Sequence, residues 1–70
     1  MRELDWLILR KLYEKRSISK AAEDLYVTQS ALTKRVKAIE QEWGIEVVKR
    51  SNQGVTFTED GRYLVKKAGI

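Results

Sequence analysis

The feature that most constrains this chain is a change of hydrophobic period at Gly44. Upstream, Leu32, Val36, Ile39 and Trp43 recur at i, i+4, i+7 and i+11, one face of an α-helix. Downstream, Ile45-Glu46-Val47-Val48-Lys49-Arg50 is β-branched and extended in character. The spacing predicts a helix from Val27 to Gly44. Thr28 is its N-cap, because the hydroxyl can accept a backbone N–H from the first turn. Gly44 is its left-handed C-cap. Between Thr28 and Ala38 stand Lys34, Arg35 and Lys37 and no acid, whereas Glu40 and Glu42 occupy the last turns. A polar, positive front and an acidic rear suit a helix whose front lies in a groove of DNA.

The elements around this helix follow from the same reasoning. Residues 3–15 carry Trp6, Leu9, Leu12 and Tyr13 on one stripe and predict a first helix, with Arg10, Glu14 and Lys15 turned away. Ser17-Ile18-Ser19 interrupts the pattern, and Ser19 is read as the N-cap of a short second helix, Lys20 to Leu25. Its small residues Ala21 and Ala22 let two steeply crossing helices approach. Leu25 is expected to pack inward, Tyr26-Val27 to form a tight connection, and Val27 to be buried. Ala22, Leu25, Val27 and Leu32 have the spacing of a helix-turn-helix spanning about residues 18–37, in which the second helix of the pair reads DNA.

Past Gly44, the turn signal Ser51-Asn52-Gln53-Gly54 separates the extended run from Val55-Thr56-Phe57. A hairpin, or wing, is expected there. Thr58 can cap a fourth helix, with Glu59 and Asp60 in its first turn against the helix dipole. Gly61 within that helix costs roughly 1 kcal/mol against Ala, which a close backbone contact would explain. Tyr63, Leu64, Val65 and Ala68 are its apolar positions, and the helix is expected to be cut short at Ile70. The fold class is therefore mainly α with a small β-hairpin. Residues 1–57 form a winged helix-turn-helix, and residues 58–70 a truncated last helix.

Composition narrows the function. Seventy residues make one domain with a thin core. Cys and His are both absent, so neither a disulfide nor a zinc site is expected, and no metal or cofactor is assigned. The lack of His removes the commonest general base. No activating partner for a hydroxyl and no carboxylate pair stands out in the sequence, so an enzyme is not expected. No apolar run reaches membrane-spanning length and the N-terminus lacks a signal-peptide core, which predicts an intracellular chain. The net charge of +4 favours an anionic partner.

With the helix-turn-helix and wing in place, the residues resemble the N-terminal DNA-binding domain of LysR-type transcriptional regulators. The resemblance is carried by S-I-S-K-A-A-E-D-L-Y-V-T-Q-S-A-L-T-K-R-V-K-A-I-E at 17–40, W-G-I-E-V-V-K-R at 43–50 and F-T-E-D-G at 57–61. It implies binding of duplex DNA near promoters, in the cytoplasm at the bacterial nucleoid. It also implies that Gln29, Ser30, Thr33 and Lys34 approach bases and phosphates, and that Arg50 at the base of the wing approaches the backbone or minor groove. The last helix would begin a linker that pairs two subunits as a homodimer and leads to an effector domain. With that helix cut short, mostly monomer is expected in dilute solution. Some positions depart from the family pattern. Ser30 stands where Pro is frequent, Thr33 for Ser, Lys34 for Arg, Glu46 for Pro, Val47-Val48 for Leu-Phe, and Arg16 for Gly.

The candidate site residues are thus Thr28, Gln29, Ser30, Thr33, Lys34, Lys37, Lys49 and Arg50. Gln can bond an adenine edge at two points, Ser and Thr can serve several bases, and Lys34 can reach guanine or a phosphate. The bland alternative for these residues is a solvated helix face. Arg50, Lys49 and Arg35 are phosphate candidates, against the alternative that edge charges keep the hairpin soluble. Thr28 and Ser19 are structural caps first, although amides at helix N-termini also suit phosphates. Trp6 and Trp43 are expected in the core rather than as stacking platforms. The competing function is a protein-interaction winged helix whose basic helix docks an acidic protein surface or an anionic membrane. DNA binding requires Lys34, Lys37 and Arg50 to share one surface along the third helix, whereas scattered positions favour the competitor.

Overall fold

The computed structural model describes residues 2–69, so Ile70, at the expected end of the last helix, lies outside the described residues. The element order is α1 (Glu3–Lys15), α2 (Ile18–Asp24), α3 (Gln29–Trp43), β1 (Val48–Ser51), β2 (Gly54–Phe57) and α4 (Glu59–Lys67). Among the described residues no helix is long and apolar enough to cross a membrane.

α3 starts and stops as its caps dictate. The Thr28 hydroxyl accepts from the Ala31 N–H at 3.1 Å, and Gly44 takes φ 67° in the left-handed region. Leu32, Val36 and Ile39 are buried against Ile8, Leu9 and Leu12 of α1 and Ala21 and Ala22 of α2. Trp43 is the exception on that stripe. It is 42% exposed, because α3 outruns the small core by its last turn. Trp6 is half-buried and packs on the core from its edge.

α2 begins earlier than expected. Ser17, not Ser19, is the N-cap, its hydroxyl accepting from the Lys20 N–H at 3.3 Å. Capping from Ser17 lets Ile18 enter the helix and bury its side chain. Ser19 lies inside the helix with its hydroxyl 3.1 Å from that of Ser17. The helix-turn-helix connection is tight. The Tyr26 N–H donates to Glu23 and the Val27 N–H to Ala22, with Tyr26 at φ 57°. Val27 is 39% exposed rather than buried, since it lies on the rim of a small open apolar hollow that Leu25 and Leu32 also line.

The hairpin is antiparallel, with Val48 opposite Phe57, Lys49 opposite Thr56, Arg50 opposite Val55 and Ser51 opposite Gly54. β1 starts at Val48 and not at Ile45. The backbone from Ile45 to Val47 bonds to the helices instead. The Ile45 N–H caps α3 by donating to Glu40 O, and Glu46 and Val47 offer their carbonyls to Thr58.

The hairpin is tied to the helices on several sides. The Val55 N–H donates to the Arg16 carbonyl at 2.9 Å, and a Cβ on Gly54 would lie 2.5 Å from that oxygen. The Thr58 hydroxyl caps α4 by accepting from the Gly61 N–H at 2.9 Å. A Cβ on Gly61 would run into the Val47 carbonyl, so the close approach that this helical glycine implied is present. Leu64 and Val65 are buried on the inner face of α4, while Tyr63 is 66% exposed on its outer face.

Candidate nucleic-acid interface

The candidate reading face of α3 follows from its geometry. A turn of 3.6 residues places Gln29, Thr33 and Lys37 in one row and Ser30 and Lys34 in the next, both clear of the buried stripe. All except Thr33, which is half-buried, are exposed. Strand geometry brings the opposing wall. Side chains alternate along β1, so Arg50 lies on the same face as the buried Val48 and turns toward the helices. Past the edge of the core, that direction opens onto α3. Gln29, Ser30, Thr33, Lys34, Lys37 and Arg50 consequently line one open groove. Its lining contains cations and neutral hydrogen-bonding side chains and no acid.

Lys49 borders the adjoining hollow between α3 and β1, with Ile18, Thr33, Val36, Lys37, Glu40, Glu46, Val48 and Arg50. Here acids enter, at the rear of α3 and before β1, so the positive surface ends between Lys37 and Glu40. Thr28 is exposed but its hydroxyl is engaged as the α3 cap. Arg50 also borders a hollow with Ser17, Ser19, Gln29 and Ser51. The two serines thus adjoin the groove, and of the two the sequence marked only Ser19, as a helix cap.

Arg35 departs from the phosphate reading. Its Nη2 and Nε donate to Asp5 Oδ1 at 2.6 and 3.2 Å. Asp5 is 1% exposed and takes a further bond from the Arg2 N–H at 3.1 Å. Burial pushes the Asp5 carboxyl up. The bond from Arg35, the Arg2 amide and the Arg35 charge outweigh it and hold the carboxyl below its ordinary value. Arg35 therefore faces α1, on the side of α3 turned from the groove. Asp5 itself drew no attention in the sequence, where a first-turn acid reads as an ordinary helix-dipole partner.

Helices α2 and α3 as a helix-turn-helix pair, a two-stranded wing and a basic groove between α3 and the wing define a winged helix-turn-helix domain. The sequence pattern of the bacterial regulatory helix-turn-helix proteins of the lysR family matches residues 5–62, and the chain belongs to that family. It is 43% identical over 68 residues to the uncharacterized HTH-type transcriptional regulator YraN of Bacillus subtilis (strain 168), covering 97% of this chain and 24% of that protein. It is 38% identical over 68 residues to YkuM of the same strain, also an uncharacterized HTH-type transcriptional regulator, covering 97% of this chain and 22% of YkuM. The chain thus spans about a quarter of the length of these relatives. Among solved structures, the DBD of CbnR in a DNA complex superposes with a TM-score of 0.92 at 25% identity, covering 99% of this chain and 79% of that one. The DBD of BenM with catB site 1 DNA gives a TM-score of 0.90 at 26% identity, covering 97% and 76%.

Proposed function

We propose that this chain binds double-stranded DNA sequence-specifically as the DNA-binding part of a transcriptional regulator. α3 enters the major groove, and the wing lies on the backbone or in the minor groove. One observation carries this reading: Gln29, Ser30, Thr33, Lys34, Lys37 and Arg50 converge from two elements on a single acid-free groove. Gln29, Ser30 and Thr33 supply base-edge donors and acceptors, and Lys34 reaches guanine or a phosphate. Lys37, Lys49 and Arg50 neutralise phosphates, with release of their counterions. Thr28 fixes where α3 begins, and so where Gln29 and Ser30 meet the bases. The structural match to DBDs solved on DNA supports the same reading. The interaction-module alternative called for scattered cations and has no observation in its favour.

In the longer regulator, α4 continues into a linker that pairs two subunits, so two copies of α3 address half-sites about 34–36 Å apart, or a multiple of that. The 70 residues alone are mainly monomeric in dilute solution and pair on DNA, and sedimentation at micromolar protein checks this. The test of the function is selection from random duplex DNA by the purified domain, followed by sequencing of the retained pool. A recurrent short element is the expected result. Failure to retain any duplex at low salt would refute the proposal. Retention without enrichment would refute its sequence-specific part.

A further inference from the structure

We propose that Glu40 is a positioning residue for the wing, setting the width of the groove between α3 and β1; this rests on the DNA-binding reading above. The Glu40 carboxylate Oε2 accepts from the Val47 N–H at 2.7 Å and from the Val48 N–H at 3.4 Å. The other ties on the hairpin fix it to the scaffold. Arg16 at the end of α1 holds Val55, and Thr58 at the start of α4 holds the Glu46 and Val47 carbonyls. Glu40 joins β1 to the reading helix itself. It lies one turn beyond Lys37 and closes the hollow that Thr33, Lys37, Lys49 and Arg50 border.

The consequence is geometric. Val48 is the first residue of β1, and Lys49 and Arg50 follow it directly. A carboxylate that fixes the Val47 amide at 2.7 Å, with the Val48 amide a longer 3.4 Å away, fixes where those two cations stand relative to Gln29, Thr33 and Lys37. Charge-assisted bonds of this kind are short and directional, so the length of the Glu40 side chain becomes a ruler. The acid also accounts for the break in the positive face of α3. A cation there would add a phosphate contact but leave the start of the wing untethered.

The experiment compares Glu40→Asp, Glu40→Gln and Glu40→Ala. Gln keeps the reach and an acceptor oxygen, whereas Asp keeps the charge and loses one methylene. Residual dipolar couplings of the free domain read the orientation of β1 and β2 against α3 without DNA. The expected result is a reoriented hairpin in the Asp and Ala variants and a native orientation in Gln. Native couplings in Glu40→Asp would overturn the proposal, and this readout stands even where an Ala variant fails to fold. The functional arm is a double-mutant cycle on a selected duplex. Glu40→Asp should weaken binding about fivefold with Lys49 and Arg50 present and have little effect in the Lys49→Ala, Arg50→Ala background, as residues acting through one another are non-additive. Equal losses in both backgrounds would mean that Glu40 acts on stability alone and would also overturn it. Wild-type protein that binds no duplex refutes the DNA reading instead, while the couplings of the free domain still decide whether Glu40 places the wing.

Discussion

Asp5 in the first turn of α1 is held by Arg35 in the middle of α3, both guanidinium donors meeting Oδ1 at 2.6 and 3.2 Å. The carboxylate is almost wholly buried, while the Arg35 side chain remains 37% exposed. Loss of one partner leaves the other without its compensation. Asp5→Asn or Arg35→Ala is expected to cost about 2–3 kcal/mol, below the fully buried case because water reaches Arg35. The folded Asp5 carboxyl lies below its ordinary value, near 3.9 in an unfolded chain. Its stabilisation is therefore complete above about pH 4–5 and is lost as pH falls through the folded value. Urea midpoints measured from pH 2 to 7 should show this acid limb in the wild type and a shallower one in Asp5→Asn. Equal limbs would remove Asp5 as its source.

Gly61 and Gly44 should respond to alanine quite differently. At Gly61 the added methyl meets the Val47 carbonyl, backbone that Thr58 also holds, so neither partner can retreat easily. Gly61→Ala is expected to cost about 3 kcal/mol or more, in the range of strongly overpacked sites. At Gly44 nothing lies within 4 Å, and the penalty is the φ of +67° alone. Gly44→Ala should cost only about 1 kcal/mol, the usual left-handed penalty. Chemical denaturation of the two variants checks the order, which a purely propensity-based account would reverse, since Gly61 is the helical glycine.

The parts of this fold legible in the sequence are those set by neighbours in the chain. The α3 period, the Thr28, Gly44 and Thr58 caps and the Ser51–Gly54 turn all act within a few residues, and each appears as read. Gly61 was legible as an anomaly, though not its partner Val47. The candidate site was legible as a face of α3, and the resemblance supplied Arg50. What sequence did not disclose depends on separation in space. Asp5 and Arg35 are 30 positions apart, and nothing local marks either as paired. Trp43 continues the apolar stripe perfectly, yet the core ends before the helix does. Ser17 and Ser19 are equally good caps by residue type, and the burial of Ile18 decides between them.

Arg16 occupies the left-handed region at φ 54°, where it caps α1 and offers its carbonyl to Val55. That conformation costs a non-glycine residue about 1–2 kcal/mol. The side chain offsets it, lying over the Tyr13 ring at 4.5 Å and the Phe57 ring at 5.4 Å, with Nε donating to the Tyr13 carbonyl at 2.7 Å. Such cation–π contacts contribute about 0.5–1 kcal/mol each at exposed sites. Arg16→Gly exchanges strain for ring contacts and should leave stability within about 0.5 kcal/mol, on the balance of those two magnitudes. Arg16→Ala keeps the strain and loses the contacts, and should cost about 1 kcal/mol or more. Thermal unfolding of the pair measures the difference. Equal stabilities of the two variants would show that the left-handed strain is negligible, and an Arg16→Ala variant as stable as the wild type would show that the ring contacts contribute nothing.

The proposed division of labour across the groove makes separable predictions for DNA. Arg50→Ala should weaken binding to all duplexes and flatten the dependence of log affinity on log salt by about one unit, the loss of one phosphate contact. Gln29→Ala with Thr33→Ala should instead weaken the selected duplex, by about 1–3 kcal/mol per lost base contact, and leave nonspecific binding and the salt slope nearly unchanged. Arg35→Ala serves as the control. Arg35 is a cation on the same helix, but Asp5 holds it on the face turned from the groove. It should lower the urea midpoint and leave the slope intact at temperatures where the domain stays folded. Titrations of the same duplex at several salt concentrations distinguish the cases. A slope that drops with Arg35→Ala would place that residue on the phosphates despite its ion pair. An unchanged slope and affinity with Arg50→Ala would take the wing off the backbone. An unchanged sequence preference in the Gln29 and Thr33 double variant would move base reading elsewhere on α3, with Ser30 and Lys34 the side chains left to carry it.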